Sequence, residues 1–304
     1  MNLIKPMLAE TGNLNDLNRN DFIYEQKLDG VRCIAHLTPS LSRTILQARS
    51  GSDITVKFPE LKELHRQVSK PCILDGEIVS HDFNAIQHRI HQERTLAIRI
   101  AQTQYPAIYF VFDILYLDYD SVKTKPLIER KAVLNSVFAQ DYYARFLAWQ
   151  TGYGNNLFNE AIEKSLEGIM GKYMYSPYVE GKRSDSWLKI KNFKEGTYYI
   201  CGLTEGENDR ATTFGSLILG KEVDGEMVYV GNVGSGFNHD QLRMLLYLLS
   251  FMKGECPFDR GFEPPTIGRP VKFWTRPELK CEVRYLELSP DGKLRFPTFR
   301  RLVT

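Results

Sequence analysis

Tyr24-Glu25-Gln26-Lys27-Leu28-Asp29-Gly30-Val31-Arg32 sets one lysine between a short strand-like run and an Asp-Gly turn. The apolar residues around it fix its backbone, and the turn leaves room for a ligand. A lysine held in this way can serve as a nucleophile. Lys-x-Asp-Gly fixes only three residues, so the stretch alone reads equally well as a surface lysine before a hairpin turn. What the rest of the chain supplies decides between them.

Four further clusters carry chemistry. Ile73-Leu74-Asp75-Gly76-Glu77-Ile78-Val79 puts Glu77 in an apolar strand, where a carboxylate is unfavourable unless paired, hydrogen-bonded or metal-bound. Strand alternation alone leaves open that Glu77 faces solvent. Glu167-Gly168-Ile169-Met170-Gly171-Lys172 joins a carboxylate and an amine to glycines that let a ligand approach the backbone. In Ser184-Asp185-Ser186-Trp187-Leu188-Lys189-Ile190-Lys191, alternation places Lys189 and Lys191 on one face and Leu188 and Ile190 on the other. Two adjacent like charges repel unless they share an anion or lie on a solvated edge. The fourth cluster, Lys293-Leu294-Arg295-Phe296-Pro297-Thr298-Phe299-Arg300-Arg301, interleaves cations and aromatics. It suits phosphate contact, or forms a solvated basic tail. His88 and His91 lack a third ligand at metal-site spacing and read as a polar helix face.

A chain of 304 residues, 43% hydrophobic and 25% charged, has room for two domains with their own cores. The net charge of +2 gives no global basic field, so nucleic-acid contact must rest on local clusters. Five scattered cysteines without a Cys-x-x-Cys pair point to reduced thiols and to neither a disulfide framework nor a zinc site. The N-terminus lacks a signal-peptide apolar region. The longest apolar run, residues 245–251, is too short to span a bilayer and reads as a buried helix. The expectation is a soluble, cytoplasmic protein.

Up to residue 191 the chain mixes strand and helix signals. Strands are expected over 21–26, 31–37, 43–49, 72–80 and 107–116. Helices are expected over 58–68, 83–100, 128–139 and 157–166. From residue 192 five short strands (198–204, 214–219, 227–233, 271–274, 282–288) surround one helix over 239–252, with Asp-Gly turns at Asp224 and Asp291. That pattern suggests a five-stranded OB-fold barrel. Residues 253–270, rich in proline and glycine, are the best candidate for a mobile segment.

In order, these clusters resemble the signature of the covalent nucleotidyltransferases, and among them the ATP-dependent DNA ligases of the small bacterial and bacteriophage type. Lys5-Pro6-Met7-Leu8-Ala9, Ala48-Arg49-Ser50-Gly51, Phe83-Asn84-Ala85-Ile86-Gln87-His88-Arg89, Val111-Phe112-Asp113-Ile114-Leu115 and Pro277-Glu278-Leu279 extend the likeness along nearly the whole chain. The resemblance implies an α+β protein. A nucleotidyltransferase (adenylation) domain of antiparallel sheets and flanking helices would occupy residues 1–191, and an OB-fold β-barrel residues 192–304. It implies three steps: AMP from ATP loads onto Lys27, passes to the 5′-phosphate of a nick in duplex DNA, and leaves when the 3′-hydroxyl attacks.

The resemblance also assigns roles. Glu25 would meet the adenine amino group and Phe112 would stack on the ring. Arg32, Arg49 and Glu77 would bind ribose and later the nick's 5′-phosphate, while Lys189 and Lys191 would neutralise the α-phosphate. Glu167, with Glu77, would hold Mg²⁺, for which Mn²⁺ can stand in. Arg183, Arg295, Arg300 and Arg301 would contact DNA phosphates. The resemblance implies a monomer without an obligate protein partner or membrane. An RNA ligase or capping-type guanylyltransferase shares the lysine chemistry, but Arg-Phe-Pro-x-Phe and Leu-Asp-Gly-Glu-Ile-Val favour the DNA ligase. A catalytically impaired DNA-end-binding protein needs no such full set. Two departures stand out. The family's last motif commonly continues past Arg301 with an arginine and Asp-x-Lys, where this sequence has Leu302-Val303-Thr304. The first step is then expected to be slower, or to use Arg295, Arg300 or Arg301. Many bacterial relatives also carry arginine in place of Val179, so one surface or phosphate contact that the resemblance implies is not expected here.

Overall fold

The computed structural model describes residues 3–258 and 269–303. They fall into two compact units, Met1–Asn192 and Phe193–Thr304.

Two sheets build the first unit. In one, the strand order is Leu8–Thr11, Arg183–Lys191, Gly168–Tyr173, Phe22–Gln26, Trp149–Thr151. In the other it is Arg43–Ala48, Val31–Thr38, Cys72–Val79, Ile108–Leu117, Asp120–Ser121, with Ala144–Phe146 alongside Ile108–Leu117. The sheets face each other through one apolar cluster. Ile34, Phe112 and Leu115 come from the second sheet, Trp187 from the first, and Ile4 and Met7 from the leading segment. The outer faces are covered as strand alternation requires. Leu188 and Ile190 pack with Phe158 and Ala161 of the Asn155–Glu163 helix. Cys33, Ala35 and Leu74 pack with Ile86 and Leu134 of the Phe83–His91 and Leu127–Val137 helices.

Two glycines permit this closeness. A Cβ on Gly30 would lie 2.3 Å from the Ile78 carbonyl oxygen, so only glycine lets the turn after Lys27 press on the neighbouring strand. Gly168 has φ of +135°, and a Cβ there would lie 2.2 Å from the Ile190 carbonyl oxygen.

Two expected helices take another form. Residues 58–68 make short 3₁₀ turns, Pro59–Leu61 and Leu64–Gln67, rather than one α-helix. The apolar spacing explains it: Phe58, Leu61 and Leu64 recur every third residue, the 3₁₀ period, and all three are buried. The helix expected over 83–100 is two helices, Phe83–His91 and Thr95–Gln104. Gln92 turns extended between them, and its carbonyl accepts from the Lys57 ammonium. Buried Arg89 fixes the corner by donating to Glu60 at 2.7 and 2.9 Å and to the Tyr105 carbonyl at 2.7 Å.

In the second unit the eleven-residue strand Lys194–Thr204 is central. It pairs antiparallel with Leu217–Val223, Val271–Thr275 and Lys280–Tyr285. Glu226–Val233 extends one side and Thr298–Val303 the other. Among the described residues the strand ladders leave this seven-stranded sheet open, and Glu287–Leu288 pairs separately with Leu294–Arg295. Where the sequence reading expects five strands of an OB-fold barrel, the described residues form a larger, seven-stranded sheet whose ladders do not close. The helix His239–Ser250 is capped by Asn238 and Gln241 and buries Leu242, Leu245 and Leu249 on the sheet. Residues 245–251 are not buried throughout, since Tyr247 and Phe251 are exposed. Of the segment expected to be mobile, Lys253–Gly254 pairs with the strand at Trp274 and Thr275, and 259–268 lie outside the described residues.

Candidate active site

Strand register assembles the site. Glu25 sits opposite Met170, and Met170 opposite Lys189, which aligns three strands of the first sheet. Arg32 sits opposite Glu77 in the second. The Lys27 amide donates to the Gly168 carbonyl at 3.0 Å, fixing the backbone from which the lysine projects. Between the sheets lies a cavity of about 280 Å³. Its walls include Lys27, Glu25, Arg32, Arg49, Glu77 and Phe112. Lys189, Lys191 and Arg183 complete a strongly cationic lining.

Glu167 lies between two of these amines. Lys27 donates to one carboxylate oxygen, and the Lys191 ammonium is 2.9 Å from the other. Burial acts to raise the Glu167 carboxyl, but Lys27 and Lys191 outweigh it and hold the group below its ordinary value. Partial burial lowers the Lys189 amine, helped by the positive charges of Arg183, Lys191 and Lys27.

Glu25 has the same inventory in a drier place. It is fully buried, Lys131 donates to one of its oxygens, and the Lys172 ammonium is 2.5 Å from the other. Burial would raise this carboxyl, yet the two lysines hold it low. Burial lowers the Lys172 amine to about 8 despite Glu25. Lys172 also lies 4.0 Å from the Phe112 ring centre and 4.2 Å from that of Trp187.

Arg32 is held by bidentate bonds to Asp75, both 2.6 Å. Asp75 accepts a third bond from the Tyr178 hydroxyl at 2.6 Å, and that hydroxyl accepts from the Met7 amide at 2.9 Å. The guanidinium also lies 4.5 Å from the Phe112 ring centre. This network anchors the leading segment to the pocket wall. Val179 joins it through a 3.3 Å contact from its amide to the Met7 sulfur.

Glu77 faces the cavity, half-buried, with no ion pair within 4 Å among the described residues. Burial pushes its carboxyl up to about 7, against the pull of Arg32 and Lys27. No group of three or more metal-ligating side chains occurs among the described residues. One or two carboxylates beside a cationic cavity suit a hard divalent ion that draws its other ligands from phosphate and water.

The arginines of the second unit each lie against a carboxylate of that unit. Arg295 meets Glu287 at 2.5 Å, Arg301 meets Glu282 at 2.8 Å, and Arg300 lies 3.9 Å from Glu195. Sequence reading missed Lys131 and Tyr178 as parts of the site, and it quoted Asp75 and Lys172 without giving them a role. For Lys131 a signal existed. It falls on the buried stripe of its helix with Leu127 and Leu134, where a cation needs a buried partner. Arg130 shares that stripe and pairs with buried Asp113 at 2.8 Å.

Residues 6–191 match the family described as ATP dependent DNA ligase domain, and residues 210–303 match ATP dependent DNA ligase C terminal region. The multifunctional non-homologous end joining protein LigD of Mycolicibacterium smegmatis is 31% identical over 98% of this chain, which spans 38% of that protein's length. The SPbeta prophage-derived DNA ligase-like protein LigB of Bacillus subtilis is 29% identical, with 97% of each chain covered. Among solved structures, a mycobacterial DNA ligase D complexed with ATP and MES is 26% identical, with a TM-score of 0.55 and coverage of 99% of this chain and 95% of that one. The family match spans most of the first unit and most of the second, and the chain belongs to the ATP-dependent DNA ligases.

Proposed function

We propose that this chain seals nicks in duplex DNA through a lysine–AMP intermediate, with Lys27 as the nucleophile. One observation carries the reading: one cavity lined by Lys27, the aromatic ring of Phe112, a buried carboxylate at Glu25 and the amines of Lys189 and Lys191. Base recognition falls to Glu25 and Phe112, and ribose and phosphate contact to Arg32, Arg49 and Glu77. Lys189, Lys191 and Arg183 offset the negative charge of the triphosphate. In the first step the Lys27 amine, having lost a proton, bonds to the α-phosphorus as the bond to the bridging oxygen breaks, and pyrophosphate leaves. Arg32 enters this step already oriented by Asp75, so ordering it adds little entropic cost. Glu167 and Glu77 would hold a magnesium ion, with manganese as a substitute, and the ion would supply charge stabilisation at the phosphate oxygens.

In the second step the AMP phosphate passes from Lys27 to the 5′-phosphate of the nick, and in the third the 3′-hydroxyl displaces AMP. Arg295, Arg300 and Arg301 are proposed DNA contacts. Each already has a carboxylate neighbour, so phosphate must compete with that pair. Free thiols at all five cysteines support a reducing, cytoplasmic setting, and no helix among the described residues is long and apolar enough to cross a membrane.

The test is incubation with α-labelled ATP and a divalent ion, followed by nicked DNA. Wild type is expected to take up label and seal the nick. Lys27→Ala is expected to do neither, and label retained by that variant would remove Lys27 from its role. Parallel assays with nicked RNA and with GTP separate this reading from an RNA ligase or a guanylyltransferase.

A further inference from the structure

We propose that Lys131 is a positioning residue that sets purine choice by holding Glu25 as a fixed, acceptor-only group. The inference rests on the reading that Glu25 faces the base. Lys131 lies outside every motif and does not line the cavity, so it acts through Glu25. It projects from the Leu127–Val137 helix, its side chain is 5% exposed, and it donates to one Glu25 oxygen. Lys172 reaches the other oxygen from the adjacent strand and itself lines the cavity. Of the two amines, only that of Lys131 is outside the cavity wall and committed to Glu25.

A carboxylate is acceptor-only when ionised and becomes a donor when protonated. An ionised Glu25 can accept from a 6-amino purine but meets the oxygen of a 6-oxo purine as a second acceptor. Without Lys131, Glu25 keeps only Lys172, 2.5 Å from its other oxygen, and burial already lowers that amine to about 8. The buried carboxylate then holds its charge less firmly and takes up a proton more readily, since desolvation disfavours the charge. The protonated form can donate to a 6-oxo purine, and discrimination is lost. Lys131 also restrains the carboxylate's rotation, so that the same oxygen edge is presented to every incoming base. A site built on a buried hydrogen-bonding partner discriminates strongly, because the wrong base leaves that partner unpaired.

The experiment measures Lys27 nucleotidylation across ATP and GTP concentrations in the wild-type chain, Lys131→Met, Lys131→Arg and Glu25→Gln. Lys131→Met is expected to raise the KM for ATP and lower the ATP-over-GTP preference, each about tenfold, while kcat changes less than threefold. Lys131→Arg keeps the charge and is expected to recover most of the preference. Should Lys131→Met fail to fold, Lys131→Gln removes the charge with a smaller change of polarity and carries the same expectation. Equal losses with both nucleotides would show a merely structural lysine and overturn the proposal. If Glu25→Gln leaves the preference for ATP intact, the reading of Glu25 fails. If Glu25→Gln removes the preference and Lys131→Met keeps it, only the proposal about Lys131 fails.

Discussion

Glu25 and Glu167 carry the same inventory, one carboxylate between two lysine ammoniums, in two settings of the same unit. At Glu25 all three side chains are at most 5% exposed. At Glu167 the carboxylate is 10% exposed and its two lysines 20% each. Ion pairs taken out of water are hard to rearrange, because freeing one partner leaves an uncompensated buried charge. Pairs that keep contact with solvent exchange partners at small cost. The dry assembly is therefore suited to a fixed contact that reads a base. The wetter one is suited to the proposed reaction, in which Lys27 would leave Glu167, attack phosphorus and later give up its load. On the proposed reading, burial rather than residue type separates recognition from chemistry.

The largest expected effect falls on the wet assembly's function and the next on the dry assembly's stability. Lys27→Ala is expected to lower covalent labelling at least about a thousandfold, since it removes the proposed nucleophile. Glu167→Ala is expected to slow labelling about a hundredfold, yet to lower the unfolding free energy by no more than about 2 kcal/mol. Glu25→Ala reverses the balance. It strands two buried ammoniums and is expected to cost about 3–5 kcal/mol, read by urea denaturation. Equal destabilisation by the two alanine variants would break the comparison.

The parts legible in the sequence were those set by local pattern. Alternation in residues 184–191 placed Lys189 and Lys191 toward the cavity and Leu188 and Ile190 toward the helix layer. The Asp-Gly turn after Lys27 was readable because close approach to Ile78 demands glycine. What stayed hidden was set by distance along the chain. Lys131 is 106 residues from Glu25, and Tyr178 is 103 from Asp75. No local period announces such pairs. The leading strand Leu8–Thr11 was equally silent, because its four residues alternate weakly and find their place only beside Arg183–Lys191. The 3₁₀ turns over 58–68 show a subtler limit. A three-residue apolar spacing fits one side of an α-helix nearly as well as a 3₁₀ turn, and packing makes the choice.

Glu77 sharpens the comparison from the other side, because it has burial without a bonded lysine. Its carboxyl is pushed up to about 7, whereas those of Glu25 and Glu167 are held low. The pH windows for stability then separate. For Glu25 and Glu167 the folded state holds protons less tightly than the unfolded state. Their stabilisation is present above the ordinary carboxylate range near 4.5 and is lost as pH falls through the lowered folded values. For Glu77 the folded state holds its proton more tightly, so its contribution is complete below 4.5 and is lost as pH rises to about 7. At about 1.36 kcal/mol per pH unit, that interval is worth on the order of 3 kcal/mol. In chelator-containing buffer, the unfolding free energy is expected to decline from pH 5 to pH 8 in the wild-type chain. Glu77→Gln, which keeps the shape and cannot ionise, is expected to flatten that decline while leaving the acid limb below pH 4 in place. A decline that persists in Glu77→Gln would place the proton elsewhere and break the contrast between paired and unpaired carboxylates, leaving only the contrast in burial between Glu25 and Glu167.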